Sequence, residues 1–178
     1  LIAAQAGLTC HIAKIMHKKG SPMSQYPIDV TDSITIAAPK ALVYQVVSNY
    51  PATGTWFPPM QVEFLGGATA IAPGVEVHHR YSQMGITMSD FVRRIQQVTP
   101  NEEIIETYDR GSMKGNGVWR FTEANGITTA SYLCQVDATS AFNKMVFRIL
   151  GNSAHSGVYK KLLLALKAHC EALAKTQK

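Results

Sequence analysis

Residues 156–175, SGVYKKLLLALKAHCEALAK, contain no proline and, after Gly157, no glycine. Their apolar members Val158, Leu162, Ala165, Leu166 and Leu173 recur at steps of three, four and seven, the spacing of one face of an α-helix. A helix of about 18 residues rises about 27 Å, enough to cross a small domain. An apolar face of that length needs a surface to cover, and the chain ahead of it reads as strands that can supply one.

Residues 28–37 alternate apolar and polar, with Ile28, Val30, Ile34 and Ile36 in phase, and predict a first strand. Ala38-Pro39 opens a helical segment, PKALVYQVVSNY, whose buried side is Leu42, Val43, Val46 and Val47. Proline suits that start because its φ is already helical. Residues 50–60, YPATGTWFPPM, can be neither a regular helix nor a central strand. They carry Trp56 and Phe57, which have to bury themselves in the core or at the mouth of a pocket. From Gln61 onward, strand patterns at 62–65, 75–81, 86–98, 104–109, 117–123 and 127–137 are separated by turn residues. Asn125-Gly126 is the strongest hairpin signal among them. Short connections predict an antiparallel meander, seven strands in all. Residues 141–150, AFNKMVFRIL, read as a helix, and 151–157 as a break before the terminal helix. The order predicts an α+β layout with helices on one face of a twisted sheet. Such a sheet curls, and the concave volume left by the helix is either packed solid or a pocket.

Composition narrows the function classes. A hydrophobic content of 46% against 16% charged residues marks a folded chain, and 178 residues suit one domain. No apolar run reaches the ~18 residues that span a bilayer. The net charge is +5, but Lys14, Lys18 and Lys19 fall in the first 22 residues, which contain no acid. The remaining charge is too weak and dispersed for a nucleic-acid footprint. Three widely spaced cysteines (Cys10, Cys134 and Cys170) form no disulfide framework and suit a reducing, cytoplasmic setting. Residues 1–22 differ in pattern from the rest and read as a vector-derived or disordered extension. The alternative is a membrane-surface or partner-binding arm. A single domain is expected over 23–178.

Several stretches resemble a known family. ITIAAPKALVYQVVSNY (residues 34–50), the aromatic loop around Trp56, GVEVHHRYS, the turn Val98-Thr99-Pro100-Asn101-Glu102, GVWRFTEANGITTASY and YKKLLLALKAHCEAL together resemble the START-like, or birch-pollen-allergen-like, superfamily. Within it they look most like the polyketide cyclase/dehydrase and lipid-transport group. The likeness runs from about residue 30 to 174; Gly126-Ile127 replaces the group's common Gly-Thr. The resemblance implies a helix-grip fold: a curved seven-stranded antiparallel sheet wrapped around a long C-terminal helix. It also implies a cavity for a small hydrophobic molecule, whether lipid, polyketide-like or aromatic. Members include carriers and cyclases without a shared catalytic signature, so no catalytic residue carries over and enzymatic activity stays open.

The expected lining is Trp56, Phe57, His79, Tyr81, Met88, Phe91, Tyr108, Trp119, Phe121 and Tyr132, with Phe142, Met145 and Leu162 from the helical side. Tyrosine hydroxyls, one histidine and Arg93 or Arg120 could orient a ligand; otherwise arginines 80, 93, 94, 110 and 120 belong on the solvent face. His78 and His79 are strand neighbours and point to opposite faces, so at most one is internal. No HxxxH or carboxylate stands at ligand spacing, so neither metal nor cofactor is expected. His155 and His169 read as structural. Asp90 is an acid–base candidate only if buried. GxSxG and phosphate-loop motifs are absent. The favoured reading is non-catalytic binding or transfer. Its rival is a cyclase or dehydrase using His79, or a Tyr or Asp, for proton transfer. The sequence leaves the oligomeric state open, a homodimer included.

Overall fold

A computed structural model describes residues 25–176, except for the side chains of 141–154. The expected extension at 1–22 lies outside these residues, as do the side chains of Phe142 and Met145. The elements are β1 (Ile28–Ile36), α1 (Lys40–Ser48), a 3₁₀ turn (Tyr50–Ala52), α2 (Thr53–Trp56), β2 (Met60–Phe64), β3 (Glu76–Gln83), β4 (Ile86–Thr99), β5 (Glu103–Gly111), β6 (Met113–Ala124), β7 (Ile127–Ala138) and α3 (Ala141–Thr176). The strands form one antiparallel sheet in the order β1-β7-β6-β5-β4-β3-β2. Five neighbouring pairs are consecutive in sequence, as short connections require. β1 instead joins the sheet through β7, so the helices between β1 and β2 cross the concave side.

That side is filled from both layers. Ile36, Val77, Ile95, Ile104, Ala130, Tyr132 and Val136 are buried from the sheet. Leu42, Val43, Val46 and Val47 of α1 and Tyr159, Leu162, Leu163, Leu166 and Cys170 of α3 are buried from the helices. This is the curled sheet and C-terminal helix expected of the helix-grip class.

One expectation is corrected. α3 is a single helix of 36 residues with no break at 151–157. Gly151, Gly157 and the small polar residues between them are poor helix formers, each glycine costing about 1 kcal/mol relative to alanine. No proline interrupts the backbone hydrogen bonds, however, and contacts with the sheet hold the weak segment. His155 Nδ1 lies 3.7 Å from Asp32 Oδ2 of β1, and Ser156 Oγ donates to the same oxygen at 3.2 Å. Tertiary packing overrides local propensity here.

Irregularities in β4 set which side chains face inward. Its pairing shifts register against β5 at Val92/Arg93 and again at Ile95/Gln97, and against β3 at Tyr81/Ser82. A bulge adds an unpaired residue and bends the strand, which helps the sheet curl. Phe91, Arg93 and Ile95 all face the interior. Gly117 on β6 serves the same interior by having no side chain: a Cβ there would collide with the Tyr132 hydroxyl.

Candidate functional site

At the centre of the concave side lies a buried polar cluster. Arg93 of β4 is 3% exposed and Glu106 of β5 is fully buried. Arg93 Nη1 donates to Glu106 Oε2 at 3.0 Å, and Nη2 donates to the hydroxyls of Tyr108 at 3.1 Å and Tyr159 at 2.8 Å. Tyr50, from the 3₁₀ turn, donates its hydroxyl to Glu106 Oε1. The Tyr108 hydroxyl shares a hydrogen bond with that of Tyr132 at 3.0 Å and lies 3.6 Å from Cys134 Sγ. The guanidinium carbon also sits 4.8 Å from the Tyr108 ring centroid and 5.2 Å from those of Phe91 and Tyr132. A buried charge survives only when paired and hydrogen-bonded, and this one is held by a carboxylate, two hydroxyls and three rings. Burial, followed by the Arg93 charge, governs Tyr108, Tyr132 and Tyr159; burial prevails and pushes all three hydroxyls above the ordinary tyrosine range.

Beside the cluster is a small cavity lined by Val47, Tyr50, Thr53, Trp56, Met60, Val62, His79, Arg93, Trp119, Tyr159 and Leu162, with a free volume of about 30 Å³. That is room for about one water molecule. Four buried polar atoms of its lining have no hydrogen-bond partner among the described residues: Trp56 Nε1, His79 Nε2, Arg93 Nε and Trp119 Nε1. The two tryptophans and the arginine present N–H donors, and His79 can donate or accept. Nearly all buried polar groups in folded proteins are paired, so four open ones on the lining of one cavity single it out as the candidate site.

His79 is 3% exposed, stacked on Phe91 at 5.2 Å between ring centroids and set edge-on to Tyr50 at 5.6 Å. Burial first, then the charges of Arg93 and His78, hold its pKa well below the usual imidazole value, so the ring is neutral near pH 7. His78, on the outer face, is bonded to Glu63 Oε1 at 2.9 Å and Asp90 Oδ1 at 2.8 Å, and these two partners raise its pKa against weaker desolvation. The strand alternation thus separates the two histidines as expected. A third histidine, His155 on α3, is buried against Tyr159 with Nδ1 3.7 Å from Asp32 Oδ2, an ion-pair separation rather than a hydrogen bond. Burial lowers its pKa, but Asp32 and Cys134 outweigh that and bring it to about 9.

A larger groove lies outside the cavity. Leu42, Gln45, Val46, Asn49, Ala52, Trp56, His169 and Leu173 line about 260 Å³ between α1, the loop after it and the C-terminal half of α3. Trp56 belongs to both spaces and is the partition between them, its ring stacked on His169 at 6.4 Å.

Of the expected lining, Trp56, His79, Trp119 and Leu162 border the cavity. Phe57, Tyr81, Phe91, Tyr108, Phe121 and Tyr132 are buried in the surrounding core and support it. Met88 does not belong: it is exposed, at the register shift that pairs Tyr81 with Ser89 and Ser82 with Thr87. It lies three residues from Phe91, and a strand puts such a pair on opposite faces. Asp90 is surface-exposed and ion-paired with His78 and Arg80, which removes it as an acid–base group. Arg120 is likewise outside, on Glu103. Glu106, Tyr50 and Tyr159 were missed. Glu106 is in phase with Ile104 and Tyr108, and an acid on the apolar phase of a strand is the signal that points inward.

The architecture has close counterparts among solved structures. The TTHA0849 protein of Thermus thermophilus superposes with a TM-score of 0.68 at 15% identity, over 82% of this chain and 99% of that one. A START superfamily protein from Mycobacterium smegmatis gives 0.62 at 15% identity, over 82% and 98%. The Zhui aromatase/cyclase from Streptomyces sp. R1128 gives 0.65 at 19% identity, over 80% and 93%. No curated protein sequence matches the chain significantly. Residues 27–171, covering everything from the first strand into the last helix, match the family described as polyketide cyclase / dehydrase and lipid transport, and the chain belongs to that family.

Proposed function

We propose that the protein binds or transfers a small, largely apolar molecule, lipid, polyketide-like or aromatic, in the space between sheet and α3. The observation that carries this reading is the set of four unpartnered polar atoms, on Trp56, His79, Arg93 and Trp119, all belonging to residues that line one largely apolar cavity. Their chemistry favours a ligand with a carbonyl, phenol or carboxylate oxygen on an apolar body, the body held by surface burial and the oxygen by N–H donors. The cavity is too small for such a molecule as it stands. Swinging Trp56 aside joins it to the outer groove, and the combined space approaches the ~300 Å³ at which small-molecule sites begin. Trp56 ends a helix of only four residues and is only partly buried, packed against the core from its margin.

The chain has two tryptophans, and both border the cavity, so intrinsic fluorescence reports occupancy directly. A panel of long-chain fatty acids and polycyclic aromatic ketones should include a compound that shifts this fluorescence saturably. Leu162→Trp, which fills the cavity, should abolish the response. A flat titration across the panel, together with native mass spectrometry showing no co-purified small molecule, sinks the reading.

A cyclase or dehydrase reaction in the same cavity is the second reading, favoured by one observation. His79 is neutral, unpartnered at Nε2 and part of the cavity lining, which suits it to take or deliver a proton. On that reading, His79→Ala removes turnover of a reactive poly-β-ketone while the fluorescence titration persists. Equal loss of both, or of neither, leaves His79 as a binding or packing residue.

A further inference from the structure

An oxygen held by N–H donors can be neutral or anionic, and the charges around the cavity decide which. Among the described residues that line it, Arg93 carries the one charge, His79 being neutral. That charge is already matched. Arg93 Nη1 donates to Glu106 Oε2 at 3.0 Å and Nη2 to the hydroxyls of Tyr108 and Tyr159, which leaves Nε as its open donor. The other oxygen of fully buried Glu106 accepts from the Tyr50 hydroxyl, which burial keeps neutral. Carboxylate and guanidinium therefore balance before any ligand arrives.

The same balance extends outward. His155, cationic near pH 7 and stacked behind Tyr159, faces Asp32 Oδ2 at 3.7 Å. Among the described residues, no Lys, Arg, Asp or Glu lines the outer groove; its polar members are the side-chain amides of Gln45 and Asn49 and the ring of His169. On the adjoining turn of α3, Lys167 Nζ donates to Glu171 Oε1 at 2.6 Å and to the Thr35 carbonyl at 2.7 Å, so those two charges hold each other. Cavity and groove together offer N–H donors but no unmatched cation. A buried carboxylate needs a cation of its own. On Arg93 Nε it would also sit beside Glu106, a second carboxylate on the same guanidinium, and like charges that close disfavour each other's ionised form.

We propose that the ligand of this site is uncharged: a ketone, ester, amide or phenol on an apolar body, and not a fatty acid or other carboxylate. This narrows the binding function proposed above and rests on it. A neutral carbonyl oxygen takes the indole and guanidinium N–H groups of Trp56, Trp119 and Arg93 without adding charge to the interior. His79 Nε2 accepts from an amide or hydroxyl when its ring proton lies on Nδ1. The Arg93–Glu106 pair then acts as a charge filter: it presents a polar donor to the cavity while leaving no net charge for an anion to meet.

The test uses two isosteric series in which a single group changes: decanoate, decanamide and methyl nonyl ketone, and β-naphthoate, β-naphthamide and methyl β-naphthyl ketone. Calorimetric titration of the full chain at about pH 8, where both acids are ionised, compares charge at nearly constant shape. Each carboxylate should bind at least about tenfold more weakly than both of its uncharged partners. Glu106→Gln keeps the shape of the side chain but leaves Arg93 with an unmatched charge. It should close the gap by raising carboxylate affinity, whereas a merely structural role would weaken all members of a series alike. The wild-type comparison decides the proposal whether or not that variant folds. A carboxylate that matches its uncharged partners overturns the proposal and leaves the binding function standing, and so does an unchanged gap in a folded Glu106→Gln protein. Absence of binding by every compound in both series also overturns it, and the binding function falls with it only if the wider panel is flat.

Discussion

Arg93 and Arg94 are neighbours on β4, and so are His78 and His79 on β3, yet each pair divides between two different media. On the inner face, Arg93 is closed off among Glu106 and three tyrosines, and His79 is neutral and unpartnered. On the outer face, Arg94 and Arg110 bracket Glu76 and Asp109, while His78 bridges Glu63 and Asp90. The residue types are the same and the strand is the same; only the face differs. Water screens the outer network and can replace any member of it. Nothing replaces a member of the inner one. The inner face is therefore where a substitution is costly, and also where an unsatisfied donor carries binding information.

The largest effect should come from splitting the buried pair. Glu106→Leu leaves the Arg93 charge without its carboxylate and the Tyr50 hydroxyl without its acceptor, and should cost ~3–5 kcal/mol in urea denaturation; Arg93→Met should cost a similar amount. The double variant should be less destabilised than the two single losses combined, because it leaves no orphaned charge. Strict additivity would erase the distinction between the two faces.

A smaller effect separates the two histidines by sign. His79 has a depressed folded pKa, so below about pH 6.5 the unfolded chain takes up a proton that the folded chain refuses, and stability falls as the pH drops. His79→Phe should flatten that decline. His78 has a raised folded pKa; its contribution is fully present below about pH 6.5 and is lost as pH rises through the folded value. His78→Ala should therefore steepen the acid-side decline. Buried His155, at about 9, behaves like His78, and its contribution is lost as pH rises through that value. Thermal unfolding of the three proteins from about pH 7.5 down to about pH 5.5 checks the signs, and parallel curves for both variants would remove the contrast.

The smallest effect belongs to the outer network. Arg94→Ala should leave the denaturation midpoint within measurement error, and added salt should not alter that result. A large loss there would mean that the outer face is structural in its own right.

How legible this was in the sequence differs by element. The strands followed from alternation and from turns such as Asn125-Gly126, whose geometry in the structure is the one the pair prefers. The split between His78 and His79 followed from the two-residue repeat alone. Glu106 was just as readable, being in phase with Ile104 and Tyr108, but an acid on an apolar phase is easily taken for an exposed residue. Arg93 was ambiguous, because arginine suits either face and only its phase with Phe91 and Ile95 points inward. Met88 was misplaced by counting residue type ahead of phase. The continuous α3 was not readable, since the residues at 151–157 disfavour a helix by themselves.

Sequence alone therefore determined what depends on neighbours along the chain: the strand and helix periods, the turn chemistry, the separation of adjacent side chains onto two faces, and the family. Tertiary structure decided what depends on neighbours across it. It selected the inner face, closed Arg93 onto Glu106, carried α3 through its weak segment, and brought Trp56, His79, Arg93 and Trp119 around one small space. The physical reason is that burial is a property of the assembled layers. An arginine or a histidine is the same residue in either medium until the sheet curls and the helix covers it.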